Sequence, residues 1–239
     1  MSAFPKYPAY KDSGVEWLGE VPEHWEVRRL KQLIDPARQI TYGIVQAGPH
    51  VSNGVPYVRP ADMTDEAGLV DFENIQRTSP EIAAGYRRSE VRTGDLICSI
   101  GPSFGKVMIA PPDLEGGNLT QGTARIAVGK GDVTRFVFWV LRSPPSNAQW
   151  ESAVGGATFR ALNLGPLAET VLPHPPFAEQ RAIAAFLDRE TETIDTLVAQ
   201  AESAIALLTE RRSALISAAV TGQIDVRNAV PSANPTEAA

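Results

Sequence analysis

Residues 177–221 read FAEQRAIAAFLDRETETIDTLVAQAESAIALLTERRSALISAAVT, a run of 45 residues that contains neither glycine nor proline. All 19 glycines and all 19 prolines of the chain lie outside this run. At about 1.5 Å per residue, an unbroken helix of this length would extend roughly 65 Å. A compact domain of this chain length has a radius of gyration of about 18 Å, so such a helix would overhang its own domain.

Apolar residues recur in the run at steps of three and four, which is the spacing of one face of an α-helix. They are Ile183, Leu187, Ile194, Leu197, Ala201, Ile205, Leu208, Leu215 and Ala219. An apolar stripe on an overhanging helix is removed from water only when another surface covers it. The stripe therefore predicts that the chain is one part of an assembly.

Prolines and a glycine mark the two ends of this helix. Residues 173–176 read PHPP, and proline is tolerated at the start of a helix but not in its interior. Gly222 follows the run in the position expected of a C′ residue. The sequence therefore predicts a domain of residues 1–176, a long helix of residues 177–222 and a tail of residues 223–239.

Short β-rich runs separated by turn residues fill the region that precedes the helix. These runs are residues 55–59, 96–100, 106–110 and 123–128. Residues 134–142 (TRFVFWVLR) are mainly apolar, which leaves a buried strand open but favours a short buried helix. Residues 81–88 form a second helical candidate after Ser79-Pro80. The predicted fold class is α+β, with one loop-rich mixed α/β domain followed by one long α-helix.

The composition limits the classes of function that fit the chain. Lys and Arg number 22 against 28 Asp and Glu, a net charge of −6 that argues weakly against a nucleic-acid partner. Residues 117–163 are locally basic, so one basic face remains open. Cys98 is the single cysteine, and we expect a buried thiol in a reducing cytoplasm. No apolar run approaches the ~20 residues of a membrane span, and the amino terminus lacks the apolar core of a signal peptide.

Three segments share features with catalytic or cofactor-binding motifs, and each departs from the motif. The loop Gly101–Lys106 has three residues between its glycines, whereas a phosphate-binding loop has four and a Ser or Thr after the lysine. His174-Pro175-Pro176-Phe177 resembles the Pro-Pro-aromatic motif with which amino-methyltransferases hold a flipped base. The first residue of that motif accepts a hydrogen bond from the exocyclic amine of the base, and histidine offers poorer geometry for this bond. No glycine-rich turn that could bind S-adenosylmethionine follows a predicted strand. The three histidines are far apart and predict no metal site. We therefore expect no catalytic residue, no metal and no cofactor in this chain.

Polar and cationic residues beside glycines are the candidates for contact with DNA. Glycine allows a backbone to approach a ligand, and Arg, Lys, Gln and Thr donate to phosphates and base edges. Each residue taken singly is equally typical of a solvated loop. The candidates are Tyr42, Gln46, Arg59, Ser103, Lys106, Gln121, Thr123, Thr158 and Arg160.

Five segments of the chain resemble the specificity (S) subunit of type I restriction–modification systems. YKDSGVEWLGEVPEHWEVRRLKQL resembles the opening arm of that family, YVRPADM its Arg-containing segment, and GDLICSIGPSFGKVMIA a block inside its target recognition domains. LPHPPFAEQRAIAAFLD resembles its Pro-Pro-Leu-x-Glu-Gln junction, and LLTERRSALISAAVTGQIDVR the end of its conserved helix. His174 departs from the family pattern, where an apolar residue is usual, and Gln121-Gly122-Thr123 lies in a segment that varies between members.

The resemblance implies a non-catalytic reader of double-stranded DNA. A typical member has two recognition domains and two long helices packed as an antiparallel pair, whereas this chain has one of each and resembles a half-length form. Two copies would then pair through their helices and read a bipartite palindromic site. The implied helix contacts are Leu187, Ile194, Leu197, Ala201, Ile205, Leu208 and Leu215.

Further subunits are implied by the same resemblance. Modification subunits would carry S-adenosylmethionine and methylate adenine, and a restriction subunit can join them. Two alternatives stay open. The chain could be a scaffold that pairs with another S subunit without binding DNA, or, less favoured by its sequence, a stand-alone methyltransferase.

Overall fold

The computed structural model describes residues 4–64, 68–69, 71–155 and 160–227, and the chain divides into two compact units after Ala185. The strands are β1 (Tyr10–Asp12), β2 (Glu20–Pro22), β3 (Glu26–Arg29), β4 (Thr41–Tyr42), β5 (Val55–Val58), β6 (Arg77–Thr78), β7 (Leu96–Ser99), β8 (Val107–Ile109), β9 (Asn118–Leu119), β10 (Thr123–Ile126) and β11 (Val171–His174). The helices are α1 (Pro80–Gly85), α2 (Thr134–Leu141), α3 (Pro144–Val154), α4 (Leu164–Ala168) and α5 (Phe177–Val220). The predicted α+β class is confirmed.

A four-stranded antiparallel sheet lies at the centre of the first unit, in the order β4-β10-β7-β8. Three of the predicted strands form it, each one or two residues shorter than predicted. Because side chains alternate along a strand, Cys98 and Ala124 face one side, and Ile97 and Arg125 face the other. Cys98 has no exposed surface, which confirms the predicted buried thiol, and burial raises its pKa to about 12.

Each face of this sheet packs against its own hydrophobic core. The first core contains Cys98 and Ala124 together with Phe138 of α2 and Trp150 of α3, whose indole Nε1 donates to Thr170 at 2.8 Å. The second core contains Ile97 with residues of the three-stranded sheet β6-β5-β9. The predicted helix of residues 134–142 is thus present as α2, which ends at Leu141, and its apolar side chains cover the first face.

Two pairs of strands were not predicted from the sequence. β1 and β2 form an antiparallel hairpin near the amino terminus, and β3 pairs antiparallel with β11, joining residues more than 140 positions apart. The PHPP segment therefore contributes two residues to a strand before it starts a helix. Pro176 accepts the first helical hydrogen bonds, from the backbone amides of Glu179 and Gln180.

The long helix α5 ends at Val220, two residues before its predicted end. Gly222 adopts a φ of 73°, which favours glycine, and the Gln223 amide donates to the Ala218 carbonyl at 2.8 Å. The first turns of α5 belong to the first compact unit, where Gln180 and Ala184 are buried. The second unit begins at Phe186, within the helix, rather than at the predicted boundary of 176.

The second unit consists of the remainder of α5 and the residues that follow it. Its apolar side chains are largely exposed: Leu208, for example, retains 62% of its surface. Within the described ranges, no helix combines the length and the apolar character that a bilayer crossing requires.

Candidate nucleic-acid interface

Three loops emerge at one end of the four-stranded sheet. Because neighbouring strands are antiparallel, the ends of β4 and β7 lie beside the starts of β10 and β8. The residues after Tyr42, the loop from Gly101 to Lys106 and the turn containing Gln121 are therefore neighbours in space. Candidates that are about 80 positions apart in the sequence thus meet at one edge.

Two of the predicted contact residues line one cleft at this edge, which we call the reading cleft. It has a volume of about 370 Å³ and is lined by Tyr42, Gln121 and Asn163 among others. Both predicted residues are exposed, and the Gln121 backbone amide donates to the Ile44 carbonyl at 3.0 Å. The turn is therefore held by its backbone, which leaves the Gln121 side chain facing solvent.

A second cleft, which we call the Lys106 cleft, brings together Ser103 and Lys106 with two residues that sequence reasoning missed. Arg142 and Asn147 complete its polar lining, and its volume is about 410 Å³. Lys106 donates from Nζ to the Met63 carbonyl at 2.8 Å, so its ammonium group is anchored at the rim. Nothing in the sequence linked Arg142 to this loop, since it follows α2 and comes 36 positions after Lys106 in the chain.

The remaining cationic candidates are each engaged by the protein itself. Arg59 forms an ion pair with Asp62, whose hydrogen bonds raise the pKa of the guanidinium. Arg160 forms an ion pair with Glu151, and its guanidinium lies 5.5 Å from the centre of the Phe104 ring, close to the Lys106 cleft. Both pairs are partly exposed, so a phosphate could compete for either arginine.

Thr123 differs from the other candidates because it has no exposed surface. Its hydroxyl donates to the Val58 carbonyl at 2.9 Å. The structure thus gives Thr123 an internal role in place of the predicted DNA contact. Gln46 is exposed on the loop that follows β4, and Thr158 lies outside the described residues.

Close packing within the protein itself explains the glycines beside these candidates. A Cβ at Gly43 would lie 2.0 Å from the Leu119 carbonyl oxygen, and one at Gly122 would lie 2.9 Å from the Pro60 ring. We predicted that these glycines allow a ligand to approach. In the structure they allow two segments of the protein's own chain to pack closely.

The junction motif before α5 is used by the fold. Glu179 accepts hydrogen bonds from Tyr7, His24 and Trp25, which fastens the amino-terminal arm to the start of the helix. Buried Gln180 accepts from the Val133 amide at 2.9 Å. This region is therefore built as a structural joint.

His174, the first residue of the methyltransferase-like tetrapeptide, takes part in the same joint. Its Nε2 lies 2.7 Å from the Asp132 carboxylate, which also accepts a hydrogen bond from Gln180. Pro175 accepts from the Gln180 amide group through its carbonyl at 3.1 Å. The geometry therefore explains these residues without a flipped base.

Comparison with known proteins gives one family. The family model described as type I restriction modification DNA specificity domain matches residues 22–205. The chain is 27% identical over 205 residues to the type I restriction enzyme EcoBI specificity subunit of Escherichia coli, covering 85% of this chain and 43% of that protein. It is 22% identical over 185 residues to the MjaIX specificity subunit of Methanocaldococcus jannaschii, covering 77% and 42%.

Two solved structures share the fold. One is a chain from work on complex assembly and conformational transition of the type I R-M system, with a TM-score of 0.64, 24% identity and coverage of 83% of this chain and 46% of that one. The other is the HsdS subunit from Thermoanaerobacter tengcongensis, with a TM-score of 0.55, 20% identity and coverage of 79% and 41%.

The chain spans less than half the length of the curated relatives it matches. The family model nevertheless covers most of the chain, including the sheet, both clefts and the first part of α5. This protein belongs to the type I restriction–modification DNA specificity family.

Proposed function

We propose that the chain is a non-catalytic subunit that reads one half of a bipartite DNA site for a type I restriction–modification complex. The observation that carries the proposal is the convergence of the three loops at one end of the four-stranded sheet. Tyr42 and Gln121 at the reading cleft supply an aromatic face and an amide. A glutamine amide can form a bidentate pair with adenine in the major groove.

The exposed row on α5 supports pairing with a second copy. The row consists of the half-buried Leu187 and the exposed Ile194, Ala201, Leu208 and Leu215. These residues stand seven positions apart, a period of 3.5 residues per turn that is typical of a coiled coil. Exposure of these apolar side chains to water is unfavourable, and packing them against the same side chains of a second copy would remove them from water. A two-fold axis perpendicular to the helices would make the two copies of α5 antiparallel. The assembly would then have two identical recognition domains.

Two identical readers related by a two-fold axis require two inverted copies of one half-site. Modification subunits that hold S-adenosylmethionine would then methylate adenine in each half-site, and a restriction subunit can join this cytoplasmic complex. Acidic residues on α5, such as Glu192 and Asp195, are exposed and offer a surface on which modification subunits can dock.

The test is a DNA-binding titration of the full chain with its modification subunits. One duplex contains the sequence that the complex methylates in the host, called the methylated site, and the other is an unrelated duplex. We expect Gln121→Ala to reduce the preference for the site by about 1–3 kcal/mol, with unchanged binding to the unrelated duplex. The exposed Lys130→Ala variant, outside the three loops, serves as the control. A parent protein that binds both duplexes equally would contradict the proposed function.

A further inference from the structure

A cleft at the opposite end of the four-stranded sheet concentrates arginine side chains. It has a volume of about 460 Å³ and lies where the chain enters β4 and where it approaches β7. We call it the arginine cleft, because five of its lining residues are Arg38, Arg87, Arg88, Arg92 and Arg125. In a chain of net charge −6, this concentration of positive charge indicates an anionic ligand.

Carboxylates neutralise only part of this charge. Asp95 accepts two hydrogen bonds of 2.6 Å from the guanidinium of Arg38, and Glu90 also lines the cleft. Hydrogen bonds from Thr93, with a smaller effect of the nearby arginines, lower the pKa of Glu115, which keeps a third carboxylate charged close by. The arginines still outnumber these three acids.

The three arginines between α1 and β7 are exposed. Within the described residues, the side chains of Arg87, Arg88 and Arg92 form no hydrogen bond and no salt bridge. Like charges held close together repel one another, and a bound anion removes that repulsion. The guanidinium fork also matches the geometry of phosphate oxygens.

Arg125 forms the floor of the cleft and is only 4% exposed. Its two terminal nitrogens donate to the carbonyls of Glu90 and Gln39 at 3.0 Å, and its Nε has no hydrogen-bond partner among the described residues. Burial, followed by the charge of Arg38, lowers the pKa of Arg125. Burying a guanidinium with one unpaired N–H donor costs free energy, and an anion bound nearby would offset that cost.

We propose that the arginine cleft binds a phosphate of the DNA backbone next to the half-site that the reading cleft contacts. The two clefts meet at β4, an edge strand of the sheet: Thr41 lines the arginine cleft, and Tyr42 lines the reading cleft. The four-residue strands β7 and β10 separate the two ends of the sheet, and a strand of four residues spans about 13 Å, close to the ~12 Å width of the major groove. A duplex that lies along this edge would offer bases to one cleft and a phosphate of the groove wall to the other.

This inference rests on the proposed function, and its test separates the two. Arg88→Gln/Arg92→Gln is compared with the control Lys6→Gln/Lys11→Gln, which removes the same charge from exposed positions on the amino-terminal arm. The full chain with its modification subunits is titrated with the methylated site and with an unrelated duplex over a range of NaCl concentrations. Thermal unfolding checks that both variants keep the parent fold.

For the arginine variant we expect Kd to rise about tenfold for both duplexes, because phosphate contacts carry no sequence information. The slope of log K against log salt should fall by about one for each arginine removed. The control should keep the slope of the parent protein.

An unchanged slope, with sequence preference retained, overturns the phosphate site and leaves the proposed function standing. Weakening confined to the methylated site also overturns it, since the arginines would then read bases. A parent protein without sequence preference overturns the proposed function and this inference together.

Discussion

Gln121 and Thr123 stand two positions apart and face different surroundings. Gln121 is exposed at the rim of the reading cleft. Thr123 is the first residue of β10, and its buried side chain lies on the face of the sheet that packs against the second core. Gln121 lies in the turn that precedes β10, whereas Thr123 lies within the strand, where its side chain is directed toward the protein interior. Residue type alone made both equal candidates, and their effects on binding and stability should be opposite.

We predict that Thr123→Val lowers the free energy of unfolding by about 1–2 kcal/mol, because the Val58 carbonyl loses a buried hydrogen bond while the side-chain volume is kept. Urea denaturation measures this change, and DNA affinity of the folded variant should equal that of the parent protein. Gln121→Ala should give the reverse pattern. Parent stability with weakened DNA binding in Thr123→Val would place its hydroxyl at the DNA instead.

At the scale of elements, the amino-terminal arm is joined to the start of α5 by the Glu179 carboxylate. Burial alone would raise the pKa of Glu179, but the hydrogen bonds from Trp25, His24 and Tyr7 together outweigh burial and lower it. A carboxylate with a lowered pKa stabilises the folded state above its unfolded pKa, and this contribution is lost as pH falls through the folded value.

We therefore predict that Glu179→Gln lowers the melting temperature near pH 6 and that the difference from the parent protein shrinks as the pH falls below the ordinary pKa of a glutamate and through the lowered pKa of Glu179. Melting curves across this range, with the exposed Glu16→Gln variant as the control, measure the effect. A difference that stays constant with pH would show that the charge of Glu179 does not hold the arm.

The exposed row on α5 gives a second prediction for an element. Leu208→Glu should weaken self-association by a hundredfold or more, on the order of 1.5–3 kcal/mol for each of two copies, because a charge replaces a leucine that pairing would bury. Ser203→Glu, on the polar side of the helix, should have no such effect. Sedimentation equilibrium measures both variants, and a Leu208→Glu dimer of parent affinity would refute pairing through this row.

At the scale of the whole molecule, the symmetry of the assembly determines the form of the recognised site. If two copies of one chain pair about a two-fold axis, the methylated sequence must be palindromic, with a spacer of fixed length. Sequencing of methylated adenine in the host, with and without this gene, should show one such motif disappear. An asymmetric motif would mean that a second, different S polypeptide supplies the other half.

The sequence by itself determined the long helix, because Gly, Pro and apolar spacing are local signals that act within a few residues. It also determined the strands 96–100, 106–110 and 123–128 to within two residues, and the burial of Cys98. The resemblance carried by the junction and closing segments identified the family.

Only the tertiary structure decided which residues meet. Strand register and contacts between distant segments decide three features: the pairing of β3 with β11, the burial of Thr123, and the position of Arg142 beside Lys106. The arginine cleft combines three segments that are distant in the sequence, residues 37–41, residues 87–92 and Arg125. Local patterns fix the elements, but the surface on which a ligand is bound is set by how the elements pack.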